Sequence, residues 1–246
     1  MIPNEKKRPI IRLNNLSKTF GKNHVLRKIT LDIYPGESFL IIGGSGSGKS
    51  VLLKCILGLI KPDLGSEIEV AGVDLLNAPS AEVEKARHKI SMLFQGNALF
   101  DSLSVWENIC FLLLQTKRLN RQEAFDLALK ILSTVGLKKE VANLFPSELS
   151  GGMQRRVALA RAVASNPEII FFDEPTTGLD PIMASIINDL IVKNVKELGA
   201  TAISITHDMA SARRIADRIA MLYQGELIWI GSKDELDHTD NPYVQQ

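Results

Sequence analysis

The sequence predicts an α/β fold with an antiparallel β region near its start and a helical subdomain at about residues 100–165. Three observations carry this. The apolar run "SFLII" (38–42) leads directly into "GGSGSGKS" (43–50) and then into the helix-forming "SVLLKCILGLI". Two further apolar runs, "IIFFD" (169–173) and "AISIT" (202–206), are separated by a helical stretch. Strand–helix alternation with strands apolar on both faces is the pattern of a parallel sheet covered by helices. Between 104 and 146 the texture turns helical, and neither a linker nor an internal repeat interrupts residues 1–246, which read as one domain.

The elements follow in order. Residues 10–40 alternate in short β-like runs, "IIRLNNLSKTF" and "ITLDIY", around the turn-like "GKNH". The helix after "GGSGSGKS" is closed by Pro62 and Gly65. "SVWE" reads as a capping box, with Ser104 as N-cap and Glu107 three residues on. "NRQEAFDLALKILSTVG" places Ala124, Leu127, Ala128, Ile131, Leu132 and Val135 on one helical face, with Gly136 just past its end. The helix "MQRRVALARAVASN" stops at Asn166-Pro167, and "IAMLY" with "ELIWI" form a hairpin around "QG".

Composition narrows the function. With 29 Lys+Arg against 28 Asp+Glu the net charge is +1, which argues against general binding to nucleic acid or to an anionic membrane surface. Cys55 and Cys110 stand far apart in apolar surroundings and read as buried free thiols of a reducing compartment. The start "MIPNEKKRPIIRL" lacks the apolar core of a secretion signal. The apolar run "ICFLLL" falls far short of the roughly 20 residues that span a bilayer. A soluble cytosolic protein is expected, held at any membrane by a partner.

Several stretches carry chemistry. "GGSGSGKS" matches G-x-x-x-x-G-K-[ST] through Gly43, Gly48, Lys49 and Ser50, between a strand and a helix. Backbone N–H groups of Gly44, Ser45, Gly46, Ser47, Val51 and their neighbours would cradle phosphates at a helix N-terminus. Lys49 would reach the β- and γ-phosphates and Ser50 would ligate Mg²⁺. Asp173 ends a buried strand as a further metal-side carboxylate, and Glu174 is the candidate to polarise an attacking water. His207, after "AISIT", could orient that water, although a lone histidine is more often structural. Gln95 is a polar amide or, equally, a solvated strand end.

"LSGGMQRR" (149–156) sets Gly151 and Gly152 in the first turn of a helix, behind a Ser150 N-cap. Glycine is poor helix material, so these positions read as a second anion cradle, open to close approach. One nucleotide does not need two cradles on the same face.

"GGSGSGKS", Gln95, "LSGGMQ", "IIFFDE", "GLD" (178–180) and His207, in this order, resemble the ATP-binding cassette (ABC) ATPases, and the resemblance covers almost the whole chain. It implies a P-loop NTPase core that binds and hydrolyses ATP with Mg²⁺. It also implies a head-to-tail homodimer in which Ser150, Gly151, Gly152, Met153 and Gln154 of one chain cap the ATP on the other chain's P-loop. By the same resemblance Phe20 stacks on adenine, with a core aromatic beside a turn as the alternative. Gln95 senses Mg²⁺ and couples to a membrane partner, and Asp180 bridges the cassettes.

Among such cassettes the DNA-repair type inserts a long coiled coil between P-loop and signature. Here only 101 positions without heptads separate Lys49 from Ser150. The translation type carries two cassettes, and this sequence carries one. A transporter subunit remains. "SMLFQGNALFDSLSVWENICFLL" (91–113), "DEPTTGLDP" and "NPYVQQ" (241–246) are similar to the bacterial ATPases of MCE-type phospholipid transporters, the Mla and Mkl group. This implies a permease partner, an MCE-type substrate-binding protein in the complex and residence on the cytoplasmic face of the inner membrane, without nucleic acid. Amino-acid importers and lipoprotein-release systems are the alternative. Apolar positions of 95–113 such as Leu103 are expected to be exposed for docking. Some members of the group continue into a tail that reaches the neighbouring cassette.

Overall fold

The computed structural model describes residues 8–236, 238–239 and 241–243. The last three residues of "NPYVQQ" and the first seven of the chain lie outside them. The chain divides into two compact units, Met1–Lys89 with Thr201–Gln246, and Ile90–Ala200.

In the first unit β1 (Ile11–Phe20) and β2 (Asn23–Ile33) form an antiparallel hairpin. Gly21 takes a left-handed φ of 59° at its turn, a conformation that costs glycine little. Ile11, Leu13 and Leu16 are fully buried while Arg12 is exposed, so the alternation read from the sequence becomes one core face and one wet face. The next strand, β3 (Ser38–Ile42), is buried from Phe39 to Ile42. It delivers the chain into the glycine-rich loop and α1 (Lys49–Ile56). That helix ends four residues before the expected Ile60, because Gly58 turns left-handed at φ 68°.

Two short strands, β4 (Glu67–Val70) and β5 (Val73–Asp74), complete a four-stranded antiparallel sheet in the order β2-β1-β4-β5. The helix α2 (Ser80–Arg87) follows. The sequence reading named none of these three elements.

The second unit begins with β6 (Ile90–Leu93). The short helix α3 (Val105–Ile109) carries the expected capping box, in which Glu107 Oε2 accepts from the Ser104 N–H at 3.0 Å and its hydroxyl at 2.8 Å. After α4 (Phe111–Gln115), the helix α5 (Arg121–Thr134) opens with its own box, the Asn120 side chain accepting from the Glu123 N–H. Ala124, Ala128 and Leu132 of α5 are buried at a spacing of one turn, and Gly136 at φ 69° follows its end.

The signature helix α6 (Gly151–Val163) leads to β7 (Ile169–Asp173), which pairs parallel with β6. The helix α7 (Pro181–Leu198) is capped by Asp180 and closed by Gly199 at φ 64°.

The chain then returns to the first unit with β8 (Thr201–Thr206), α8 (Met209–Ile215), β9 (Arg218–Tyr223), β10 (Glu226–Ser232) and α9 (Lys233–Leu236). The strands β8 and β9 flank β3 on either side, both parallel to it, and β10 runs antiparallel to β9. Leu40, Ile42, Ala212, Ile215, Ile219 and Leu236 pack into one cluster beneath α8. It fixes the strand that carries the glycine loop. Cys55 and Cys110 are buried and free, and burial pushes each thiol up to about 11. No helix among the described residues is long and apolar enough to cross a membrane.

Candidate functional site

In the first unit the glycine loop leaves the C-terminal end of β3. Ile42 pairs with Thr206, so Gly43 and His207 follow the same edge of two parallel strands. That edge is where α/β sheets gather their ligands. Gly43 has no room for a side chain, since a Cβ there would lie on the Leu222 carbonyl oxygen. A Cβ at Gly48, whose φ is 107°, would come within 2.9 Å of both the Val25 carbonyl oxygen and a Leu26 methyl. The loop is therefore pressed onto the backbones of β2 and β9, and these two glycines are required by contact.

Gly44, Ser45 and Gly46 are exposed along the loop's outer rim, while Ser47, Gly48 and Lys49 are buried. The Lys49 ammonium donates to the carbonyls of Gly43 (2.7 Å) and Gly44 (3.0 Å), which anchors the cation across the loop. The Ser47 hydroxyl is buried without a hydrogen-bond partner among the described residues. A buried orphan polar atom asks for a polar ligand. Ser50 is exposed on the first turn of α1 and Val51 is half-buried beside it. Phe20 ends β1 with 48% of its surface exposed, which removes the core-aromatic alternative, and the Lys18 ammonium stands 5.1 Å from its ring centroid.

His207 is exposed, and Asp208 beside it caps α8 through the N–H groups of Ala210 and Ser211. Burial opposes ionisation of Asp208. The Ser211 hydroxyl, these two N–H groups and the neighbouring imidazole outweigh it and hold the carboxyl below its usual range.

The second unit repeats the strand-edge arrangement. Leu93 pairs with Phe172, so Phe94-Gln95 and Asp173-Glu174 leave the same edge of β6 and β7. Gln95 is exposed, and Asp173 and Glu174 are half-buried. Glu174 sits at φ 50°, in the left-handed region that a non-glycine residue seldom occupies. Thr177 secures it: the Thr177 N–H donates to the Glu174 carbonyl at 3.2 Å and its hydroxyl to Glu174 Oε2 at 2.8 Å.

The signature stretch opens α6 as expected from its residue types. The Ser150 hydroxyl accepts from the Met153 N–H at 3.3 Å. Gly151 is exposed and a Cβ added to it would meet nothing within 4 Å, whereas one on Gly152 would press on the flexible end of Met183. Gln154 turns back, its amide donating to the Pro146 carbonyl at 2.9 Å. Asp180 caps α7 by accepting from the N–H groups of Ile182 and Met183, both at 3.0 Å.

Two arginines of α6 contribute without a role read from the sequence. Arg155 is 4% exposed and donates to the carbonyls of Phe94 (3.0 Å) and Thr177 (3.4 Å). Arg161 donates to those of Ala98 (2.7 Å) and Asn97 (2.8 Å). Burial lowers the pKa of both guanidiniums. The faint signal of Arg161 in the sequence is a charge inside the apolar helical run "VALARAV", and Arg155 stands just before that run. Leu103 corrects an expectation: it is half-buried, and its carbonyl accepts from the Asn108 amide at 2.9 Å. Capping of α3 draws it inward, and the exposed apolar side chains of this region are Phe94, Phe100 and Leu112.

The family described as ABC transporter matches residues 26–177. The Arabidopsis thaliana chloroplast protein trigalactosyldiacylglycerol 3 is 39% identical over 253 residues, which cover 96% of this chain and 72% of that protein. The "Probable ribonucleotide transport ATP-binding protein mkl" of Mycobacterium leprae (strain TN) is 36% identical over 96% of this chain and 67% of its own. The arginine transport ATP-binding protein ArtM of Bacillus subtilis (strain 168) is 40% identical over 92% of both. Among solved structures, the dimeric post-hydrolysis state of the ATP-binding cassette MJ0796 bound to ADP and Pi superposes with a TM-score of 0.81. It is 35% identical, over 91% of this chain and 98% of that one. The chain belongs to the ABC transporter family, as an ATP-binding and ATP-hydrolysing cassette.

Proposed function

We propose that this cassette powers a bacterial MCE-type phospholipid transporter as a head-to-tail homodimer, in which each ATP lies between one chain's P-loop and the other chain's signature. The observation that carries the cross-chain reading is Gly151. It is exposed, has no left-handed φ, and nothing in its own unit comes within 4 Å of the side chain it lacks. A glycine in a helical first turn with no internal reason for being one suits a ligand approaching from outside the chain.

Each residue then has a task. Phe20 offers a ring face to the adenine. Backbone N–H groups from Gly44 to Val51 hold the phosphates, and Lys49 balances their charge. The buried Ser47 hydroxyl, without a hydrogen-bond partner among the described residues, fits a phosphate oxygen. Ser50, Gln95 and Asp173 offer hydroxyl, amide and carboxylate oxygens, the hard donor set that suits Mg²⁺. That ion, when bound, neutralises charge developing on the phosphate oxygens. Glu174 accepts a proton from the attacking water and His207 orients that water. Ser150 and Gly151 of the partner chain close the site with Gly152, Met153 and Gln154. Asp180, besides capping α7, faces the partner cassette.

The substrate reading rests on "ALFDSLSVWENI" (98–109) beside Gln95, and on a relative named for a galactosylated diacylglycerol, while the Mkl relative is named for ribonucleotide transport. A permease holds the cassette at the cytoplasmic face of the inner membrane, together with an MCE-type substrate-binding protein. The arginine-transport relative favours a second reading, an amino-acid importer. Purification of the complex from native membranes, followed by lipid analysis, tests the choice. Phospholipid retained in molar proportion supports the first reading. A complex without lipid, with loss of amino-acid uptake on gene deletion, establishes the second.

A further inference from the structure

We propose that Thr177 is a positioning residue for Glu174, with Arg155 of the signature helix as its anchor; the assignment rests on Glu174 being the water-activating carboxylate. Thr177 makes three ties, each in a different direction. Its N–H closes a turn onto the Glu174 carbonyl at 3.2 Å, and its hydroxyl donates to Glu174 Oε2 at 2.8 Å. Its own carbonyl accepts from Arg155 Nη2 at 3.4 Å.

The first two hold backbone and carboxylate of the same residue. That residue needs holding, because a glutamate at φ 50° keeps a sparsely populated conformation only where its surroundings over-determine it. A hydroxyl donating to Oε2 also fixes the rotamer of the carboxylate, so backbone and side chain of Glu174 are held by one neighbour.

Arg155 gives this turn its reach. Its other donor holds the Phe94 carbonyl at 3.0 Å, one residue before Gln95. All its hydrogen bonds among the described residues end on backbone carbonyls, so it acts as a spacer between two loops. A buried guanidinium is an unusual choice for that task. Its planar fork can serve two carbonyls at once, which a lysine ammonium on a flexible stem does less well. Because Arg155 belongs to α6, the helix end that caps the partner's nucleotide is bonded to the turn that sets its own chain's Glu174.

The test compares Thr177→Val, Thr177→Ser, Arg155→Lys and the Arg155→Lys/Thr177→Val pair in the full-length chain. ATP dissociation constants and hydrolysis rates are measured separately. Losing a hydrogen bond to a charged group corresponds to roughly a 10- to 150-fold effect. Thr177→Val should lower kcat within that range and leave ATP binding within about threefold. Thr177→Ser, which keeps the hydroxyl, should restore most of the rate. Arg155→Lys should lower kcat in the same sense, and the pair should be no worse than its slower member, because residues acting through one group are not additive.

The inference is overturned if Thr177→Val turns over at the wild-type rate, if serine fails to rescue it, or if the pair's losses multiply. Should Arg155→Lys not fold, the valine and serine variants decide alone. Glu174→Gln is the control. Wild-type turnover in that variant removes Glu174 from the chemistry, and Thr177 with it. A dead Glu174→Gln beside a fully active Thr177→Val refutes only the positioning role.

Discussion

Gly151→Ala separates what the glycine does for its own chain from what it does for a partner. The added methyl meets no atom within 4 Å and Gly151 has no left-handed φ, so the folded chain accepts it without strain. Alanine also loses less conformational freedom on folding than glycine, which stabilises by about 0.4–1 kcal/mol where the backbone allows it. For a chain of this size that raises the melting midpoint by about 1–4 °C. In the proposed ATP-bound dimer the same methyl would stand against a phosphate held by the other chain. Overpacking a tight contact destabilises by about 1–3 kcal/mol, which corresponds to roughly a 5- to 150-fold loss in ATP-dependent association. Calorimetry without nucleotide reads the first effect, and light scattering of the Glu174→Gln background with ATP reads the second. Stability up and dimer down is the expected signature. A stabilised Gly151→Ala chain that dimerises and hydrolyses normally would refute the reasoning, because the glycine would then be needed by nothing.

Two other outcomes follow from the same geometry. Lys49→Ala should greatly weaken hydrolysis, whereas Glu174→Gln should keep ATP binding, lose turnover by about 10²–10⁴-fold and accumulate an ATP-bound dimer; stopped-flow binding and phosphate release measure the two separately. Phe94→Asp and Leu112→Asp alter exposed side chains beside Gln95 and on α4. They should abolish copurification of the permease with ATP binding intact, and equal loss of nucleotide binding would show that these side chains serve the cassette's own packing.

The parts legible in the sequence were those written locally. The glycine loop between "SFLII" and its helix, the Ser104–Glu107 box and the hairpin around Gln224-Gly225 all follow from neighbours a few residues apart. Helix α2 and strands β4 and β5 escaped notice because they are short, and Glu67 and Glu69 of "EIEV" face away from the buried Ile68 and Val70. Leu103 looked like a surface leucine until the Asn108 amide, bonded to the backbone carbonyls of Phe100, Leu103 and Ser104, drew that loop inward. The reasons for Gly43 and Gly48 were legible only as a motif. The atoms that exclude a side chain there belong to Val25, Leu26 and Leu222, far away in sequence. The roles of Arg155 and Thr177 were hard to read for a related reason. Arg155 bonds to backbone carbonyls distant in sequence, which leave no residue type to read, and the local bond from Thr177 to Glu174 depends on the left-handed backbone at Glu174.

The most direct measurement of the central claim mixes two inactive chains. Lys49→Ala disables the P-loop of one chain, and Ser150→Arg fills the small space beside Gly151 on the other. Each homodimer then holds two broken sites. In a mixed dimer the intact P-loop of the Ser150→Arg chain meets the intact signature of the Lys49→Ala chain, which yields one complete site. Nucleotide trapping in purified heterodimers, where neither homodimer traps, is the result the cross-chain account predicts. Heterodimers that form and trap no nucleotide would contradict it.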